Sequence, residues 1–504
     1  MNRLNWKLIA LCAAAFILST AVAWGVYGSM PHLEDELANV FQAKVFAGGN
    51  LAVRAPSVQA NSFYLPFILN QGGWLFGKYP PGYSLLLIPA AWTNQWWLIN
   101  ALAAVVVVLG VYLLGRDLFD ANTGLLAAAL GLLAPMFILL SGALVSHLVT
   151  MALLTIFAWG FARSRGSRRS DDDHPIGFAT LSGIMIGLAF ITRPWTTFAI
   201  GLPFAVQALI DLVRRWRSVW RTYVIMLIVF GAIALILPLY NAAVTGAPFT
   251  NTYALWWQMD RLGFGPDIGT SPGGHRLYTA IVNFQLDFPI FGQMLSGWPD
   301  VMGVSLVWLP LIAGLLLPPM SKREWALMLP PILLVGAHFL YWARGSSFYG
   351  PRYYAEAMPF LWLIIARGLI KMCAIKLPWP RFANAPRYVV YVALPLLIAG
   401  NIVNVVEPHF ITGFAEYRSA RRSINTIAQA DVHQALIFVK ALKWQDYAAL
   451  GWLNAPSPGN GDVMYAYDFG PAGNERLIEE YPDRTVYYFD HMQPYPLVAG
   501  RQDQ

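Results

Sequence analysis

Three consecutive carboxylates, Glu34-Asp35-Glu36, stand just past the first long apolar stretch of a chain that is otherwise poor in acid until its last hundred positions. Carboxylates crowded at the exit of an apolar segment are costly unless they are hydrated, paired or used for chemistry. The chemistry open to them is proton abstraction, because neighbouring carboxylates raise one another's pKa and so bring a general base closer to working pH. The structural alternative is that acids at a helix start after Pro31 simply complement the helix dipole. His32 beside Glu34 and Asp35 leaves a divalent metal open without further support. Cys12 and Cys373 are the only cysteines, so neither a disulfide framework nor a thiolate metal site is available.

The elements that must position these groups are membrane helices. Of the 504 residues 57% are hydrophobic and only 12% charged, with 20 Trp, and the mean hydropathy is +0.49. A soluble domain carries about 25% charged residues. Apolar stretches able to cross the hydrocarbon core lie near 7–29, 96–115, 123–140, 143–162, 176–192, 195–213, 222–240, 299–317, 325–343, 351–370 and 388–406. The fold class is therefore an all-α polytopic membrane protein of about eleven transmembrane helices. The first stretch is longer than a signal-peptide core and reads as an uncleaved anchor.

The net charge of +7 is an orientation signal rather than a nucleic-acid surface, since the arginines gather in short segments between alternate spans: Arg163, Arg165, Arg168 and Arg169, then Arg214, Arg215, Arg217 and Arg221. They put the N-terminus in the cytoplasm, the acidic triplet outside, and the C-terminus outside. The run Asp171-Asp172-Asp173-His174 then belongs to a solvated cytoplasmic loop. Arg193 and Arg344 fall at external span ends, where arginine is disfavoured, and call for an anionic partner; the alternative is snorkelling to lipid headgroups.

Three external pieces follow. Residues 30–95 include an interfacial helix beginning near Pro31, with Leu33, Leu37, Val40 and Phe41 in one apolar stripe lying along the membrane face. Residues 241–298 form a long Gly-, Pro- and aromatic-rich loop, of a length usually functional. Residues 407–504 concentrate acid and carry strand-length runs at 435–439, 463–467 and 485–489, with helical stretches near 416–429 and 474–480, which makes a small α/β domain. The transmembrane domain spans 1–406.

The external acidic pair after the first span, the stretch Gly77-Lys78-Tyr79-Pro80-Pro81-Gly82-Tyr83, and the late Tyr349-Gly350-Pro351-Arg352-Tyr353-Tyr354 occur in that order. Over residues 1–406 this ordered set resembles the GT-C glycosyltransferases, in particular the branch of protein O-mannosyltransferases and aminoarabinose transferases. The resemblance implies transfer of a hexosyl or pentosyl group from a polyprenyl-phosphate donor to a hydroxyl of a lipid, glycan or protein acceptor at the outer face of the membrane. Asp35 matches the first residue of the family's acidic pair and is the expected general base; Glu36 matches the second. Lys78, Tyr79, Arg352 and Tyr353 match the family's donor-phosphate positions, joined by Arg193 and Arg344. Where relatives often carry a second acid between the third and fourth spans, this chain has His147, a candidate contact for sugar or acceptor. A phosphate leaving group departs without a general acid, and no cofactor is assigned, a divalent metal being open but unsupported. The partners are the lipid donor, the acceptor and membrane lipids, without nucleic acid. The loops carry no Asn-x-Ser/Thr acceptor, which favours a bacterial inner membrane.

Two rival classes fit parts of the pattern. A flippase of lipid-linked sugar would place charges or broken helices deep in paired spans, and a non-catalytic assembly partner would use the tail as a docking domain. Within the enzyme class, a glycan ligase with a lipid-diphosphate donor is the alternative.

Overall fold

The computed structural model describes residues 5–57, 59–165, 174–347, 349–403, 410, 412–493 and 495–500, so the acidic run at 171–173 and the expected domain boundary at 407 lie outside the described residues. The chain is a multi-pass helical membrane protein with a small sheet domain at its C-terminal end.

The bundle opens with α1 (Trp6–Gly25), followed by α2 (Glu34–Ala47), a three-stranded sheet of β1 (Val53–Arg54), β2 (Ile68–Gln71) and β3 (Trp74–Gly77), and the short helices α3 (Gly82–Leu86) and α4 (Ile88–Thr93). Gly82 lets α3 press against the end of a later helix, since a Cβ there would lie 2.7 Å from the Ile191 carbonyl carbon. Next come α5 (Trp97–Leu118), α6 (Ala121–Leu132), α7 (Pro135–Gly142), α8 (His147–Ser164), α9 (Pro175–Thr192), α10 (Pro194–Ala234) and α11 (Ile236–Thr245). Pro135 removes a backbone donor and restricts Ala134, and α6 and α7 meet there at 65°. The two spans expected at 195–213 and 222–240 follow one another along α10, kinked at Arg215, the second running on into α11.

Residues 241–298 are not one loop. After α12 (Thr252–Trp256) and an irregular stretch they form α13 (Leu277–Ser296), a 20-residue helix whose Asn283, Asp287 and Pro289 had lowered its hydropathy. The hairpin β4 (Asp300–Val301) and β5 (Val304–Ser305), α14 (Trp308–Leu316), α15 (Lys322–His338), the hairpin β6 (Ser346–Ser347) and β7 (Gly350–Pro351), α16 (Met358–Ala374) and α17 (Ala385–Asn401) complete the bundle. Seven helical stretches among the described residues are long and apolar enough to cross a membrane, eight with the bent α6–α7 pair. Each of the eleven expected stretches holds a helix, but α14 and α15, of 9 and 17 residues, fall short of the roughly 20 a crossing needs.

Beyond α18 (Ala415–Ala430), the tail alternates β8 (Ala435–Val439), α19 (Trp444–Gly451), β9 (Val463–Tyr467), α20 (Pro471–Glu480), β10 (Thr485–Phe489) and β11 (Leu497–Ala499). Strand order is β11-β10-β8-β9, with β8 parallel to both β9 and β10 and β11 antiparallel at the edge. Helical crossovers are what parallel neighbours require. The central β8 is buried along its whole length: Ala435, Ile437 and Val439 join the main core, whereas Leu436 and Phe438 pack with Met464 and Leu477. The three expected strands stand where the sequence put them.

Candidate active site

Everything at this site hangs on the first turn of α2. Glu36 is almost fully buried, and its Oε2 accepts hydrogen bonds from the backbone N–H groups of His32 at 2.6 Å and Leu33 at 3.2 Å. Its Oε1 accepts from Leu144 N at 2.8 Å, in the turn between α7 and α8. The side chain thus closes the helix start in the manner of a capping-box glutamate and bolts it to the bundle. Burial pushes the Glu36 carboxyl up to about 7, and the three backbone donors pull the other way. Expected as the second member of a catalytic pair, Glu36 is placed as a clamp. Burial also raises the neighbouring Glu34.

His32, a candidate metal ligand, turns elsewhere: its ring bonds the Tyr27 carbonyl at 2.6 Å and stacks on Tyr417 at 4.2 Å. Burial holds it down near 4, hence neutral. No group of three or more His, Cys, Asp or Glu positioned for a metal occurs among the described residues.

With Glu36 fixed, Asp35 projects to other partners. Its Oδ2 lies 2.6 Å from Nη2 of Arg352, and its Oδ1 accepts from the Tyr79 hydroxyl. Arg352 follows the β6–β7 hairpin, where Gly350 takes a φ of +74° and a Cβ would meet Met294 Cγ at 2.9 Å. The guanidinium is only 11% exposed. Its Nε and Nη1 are buried without a hydrogen-bond partner among the described residues. A buried fork with one nitrogen on a carboxylate and two unused donors is a ready receptor for phosphate oxygens.

Beside it sits a second cluster. Glu356 Oε1 lies 3.1 Å from Arg193 Nε and 3.1 Å from His147 Nδ1, while Arg193 Nη1 reaches His147 Nε2 at 3.3 Å and Ser146 Oγ at 3.4 Å. Tyr353 joins the two clusters, with its ring 5.8 Å from the Arg193 guanidinium, 5.9 Å from that of Arg352 and stacked 6.0 Å from His147. Arg352 does not pair with Glu356 four residues on; Arg352 goes to Asp35 and Glu356 to Arg193.

Lys78 is also taken. Its ammonium pairs with Asp260 at 3.0 Å, both side chains being at most 3% exposed, inside a ring of Phe67, Trp257 and Tyr253 at 4.2, 4.6 and 5.0 Å. Asp260 further accepts from Tyr341 at 2.9 Å and Trp342 at 3.1 Å. Arg344 stands apart from these groups, bonded to Asp287 of α13 at 2.7 and 2.9 Å. The structure therefore brings together Asp35, Tyr79, Arg352, Tyr353, Arg193 and His147, gives Lys78 a buried counterion, and pairs Arg344 with an acid of its own.

Comparison with known proteins bears on the fold. Residues 91–240, less than half of the chain, match the family described as dolichyl-phosphate-mannose-protein mannosyltransferase. No curated protein sequence matches the chain. Among solved structures, ArnT from Cupriavidus metallidurans bound to undecaprenyl phosphate superimposes with a TM-score of 0.55 at 13% identity, over 95% of this chain and 89% of that one. The same protein in its apo state gives 0.50, also at 13% identity, over 94% and 88%. The chain shares the fold of ArnT, and a stretch of it matches the mannosyltransferase family. At such identity the likeness to ArnT is one of fold, and residue roles in this chain rest on its own geometry.

Two acids at the site lie outside the sequence motifs. Glu356 closes on His147 and Arg193, so a carboxylate reaches the start of α8 from a distant part of the chain. Asp260 lay unremarked among the aromatics of Trp256-Trp257-Gln258-Met259-Asp260-Arg261; its only signal was a lone acid in a stretch otherwise suited to packing.

Proposed function

We propose that the chain is a glycosyltransferase that moves a hexosyl or pentosyl group from a polyprenyl-phosphate donor to an acceptor hydroxyl, with Asp35 as general base. The observation that carries this reading is the pairing of Asp35 with a guanidinium whose Nε and Nη1 are buried and unused. One end of Arg352 pairs with the base; its Nε and Nη1, without a partner among the described residues, are offered to the oxygens of the donor phosphate. Tyr79 fixes the second carboxylate oxygen, which leaves a lone pair for the incoming hydroxyl. That hydroxyl oxygen attacks the anomeric carbon as the bond from that carbon to the phosphate oxygen breaks. The bonding pair leaves on the phosphate, and the hydroxyl proton passes to Asp35. No group need protonate the departing phosphate. Arg193 and Tyr353, next to Arg352, add positive charge and an aromatic wall, and Lys78 with Asp260 sets the far wall.

The site faces the exterior of a bacterial inner membrane in this reading, with the N-terminus in the cytoplasm and the sheet domain outside. Helix α8 supports it: His147 at its first residue is at the site, whereas Arg163 and Arg165 at its other end belong to the basic, cytoplasm-seeking side.

The deciding experiment uses purified protein in nanodiscs with synthetic polyprenyl-phosphate hexoses and pentoses, following release of polyprenyl phosphate in the presence of envelope extract. Turnover with at least one donor, lost in Asp35→Asn, is expected. Absence of turnover with every donor, together with unchanged envelope glycans in cells lacking the gene, refutes the proposal.

A further inference from the structure

The helix expected along the membrane face, α2, keeps Leu37 and Val40 in the main core. The helix that reaches the lipid boundary is α18, and its depth is fixed by contact with α1. That helix has 20 residues and is apolar enough to cross a membrane. Twenty residues rise roughly 30 Å, the thickness of the hydrocarbon core, so Trp24 in the last turn stands level with the headgroups, where indole is favoured. Trp24 is 48% exposed. The Arg421 guanidinium lies over its ring at 5.7 Å and donates from Nη1 to the Gly28 carbonyl at 3.2 Å. Gly28 takes a φ of +61°, and a Cβ there would stand 3.2 Å from Arg421 Cβ. The missing side chain lets α18 lie against the exit of α1.

One side of α18 is spent on protein and the next is basic. Tyr417, Ala420, Ile424 and Ile427 pack in the main core. With 3.6 residues per turn, Arg421, Arg418 and Arg422 fall within one arc of about 100° beside that stripe. Glu416, the one acid of the helix, is on the opposite flank and bound to Lys443. Arg418 donates to the Phe410 carbonyl at 2.9 Å. Arg422 is exposed, and neither it nor Arg421 has a carboxylate partner among the described residues. Guanidinium charge at headgroup depth, unmatched by protein acid, is matched by the oxygens of a phosphate.

We infer that this flank of α18 is a lipid-headgroup site, in which Arg421 and Arg422 hold the phosphate of an anionic phospholipid beside Trp24 while Arg418 adds charge. The bilayer is the source because Trp24 sets the depth. The site seats the C-terminal domain on the membrane, since α18 leads directly into β8. Tyr417 of the same helix stacks on His32, three positions before Asp35, so the seat also supports the start of α2. Headgroup binding is measurable without turnover and stands apart from the transfer reading.

The test uses the full-length protein in nanodiscs of phosphatidylcholine and phosphatidylglycerol in equal amounts, with one or the other lipid carrying a photoactivatable headgroup. Crosslinked peptides are mapped by mass spectrometry. On 20–28 and 415–430, phosphatidylglycerol crosslinks exceed phosphatidylcholine crosslinks about thirtyfold, from two guanidiniums at about 1 kcal/mol each. In Arg421→Gln/Arg422→Gln that excess falls to the level on the uncharged stretch 388–400 of α17, while crosslinking of the basic segment 214–221 is unchanged. Arg421→Lys/Arg422→Lys, which keeps the charge, keeps most of the excess. The inference is overturned by equal crosslinking of the two lipids in the wild type, or by an excess that survives the Gln substitutions. Displacement of phosphatidylglycerol from these peptides by undecaprenyl phosphate also overturns it, since the site then belongs to the carrier lipid.

Discussion

Asp35 and Arg352, 317 positions apart in the chain, meet at 2.6 Å in a setting where neither is more than 19% exposed. The pair unites two sequence motifs far apart in the chain, and in the proposed reaction it puts the base beside the unused donors of the phosphate receptor. Asp35→Asn keeps the shape and removes the proton acceptor, so transfer falls by about 10²- to 10⁴-fold while unspent lipid-linked sugar accumulates. Mass spectrometry of envelope lipids from complemented deletion cells reads this directly, and full rescue by the Asn variant would eliminate Asp35 as base.

Arg352→Lys retains a cation but not the fork. Loss of hydrogen bonds to a charged group, each about 1.5–3 kcal/mol, raises the donor KM by roughly 10- to 100-fold, with little change in acceptor KM. Donor and acceptor titrations of the purified variant separate the two.

Glu36 makes stability depend on pH. Its folded pKa of about 7 lies above the ordinary 4.5, so the protonated form is the one favoured by folding. Its contribution is full below about 4.5 and is lost as pH rises through about 7. The Tm of the wild type therefore declines across that window, whereas Glu36→Gln, neutral throughout, shows a flatter profile and keeps activity. A Gln variant that folds normally and is inactive would instead make Glu36 a participant in the chemistry.

The Arg193–Glu356–His147 cluster predicts a non-additive result. Glu356→Leu strands a buried guanidinium and costs about 3–5 kcal/mol, seen as a lowered unfolding temperature. Adding Arg193→Met removes the stranded charge and restores much of that loss without restoring transfer. If the double variant is no more stable than the single, the cluster is not an energetically closed unit.

Lys44 ties α2 to the C-terminal domain through the carbonyls of Trp452 and Asn454. Lys44→Met removes both bonds, and amide hydrogen exchange across 451–458 accelerates while the central β8 stays protected. Equal exchange in both proteins would show the tether to be dispensable.

What the sequence made legible follows physical range. The strands β8, β9 and β10 are short apolar runs between turn signals, a local pattern, and they were readable to the residue. Asp35, Tyr79 and Arg352 were readable because motif order carried them. Glu356 and Asp260 were not, since what makes each special is a partner supplied by a distant helix or loop: Arg193 for one, Lys78 for the other. Helix α13 was hidden by Asn283, Asp287 and Pro289, whose polarity reads as loop until Asp287 is seen to be paired with Arg344. The stripe of α2 was found correctly and assigned the wrong neighbour, because periodicity tells which face is apolar and not whether lipid or protein covers it.

The long separation between Asp35 and Arg352 also sets a clock. At about 5–20 residues per second of synthesis, Asp35 waits roughly 15–60 s after emerging before its guanidinium is even made. A chain interrupted anywhere before residue 352 carries Asp35 without its guanidinium, so the pairing waits until nearly all of the bundle has been threaded into place.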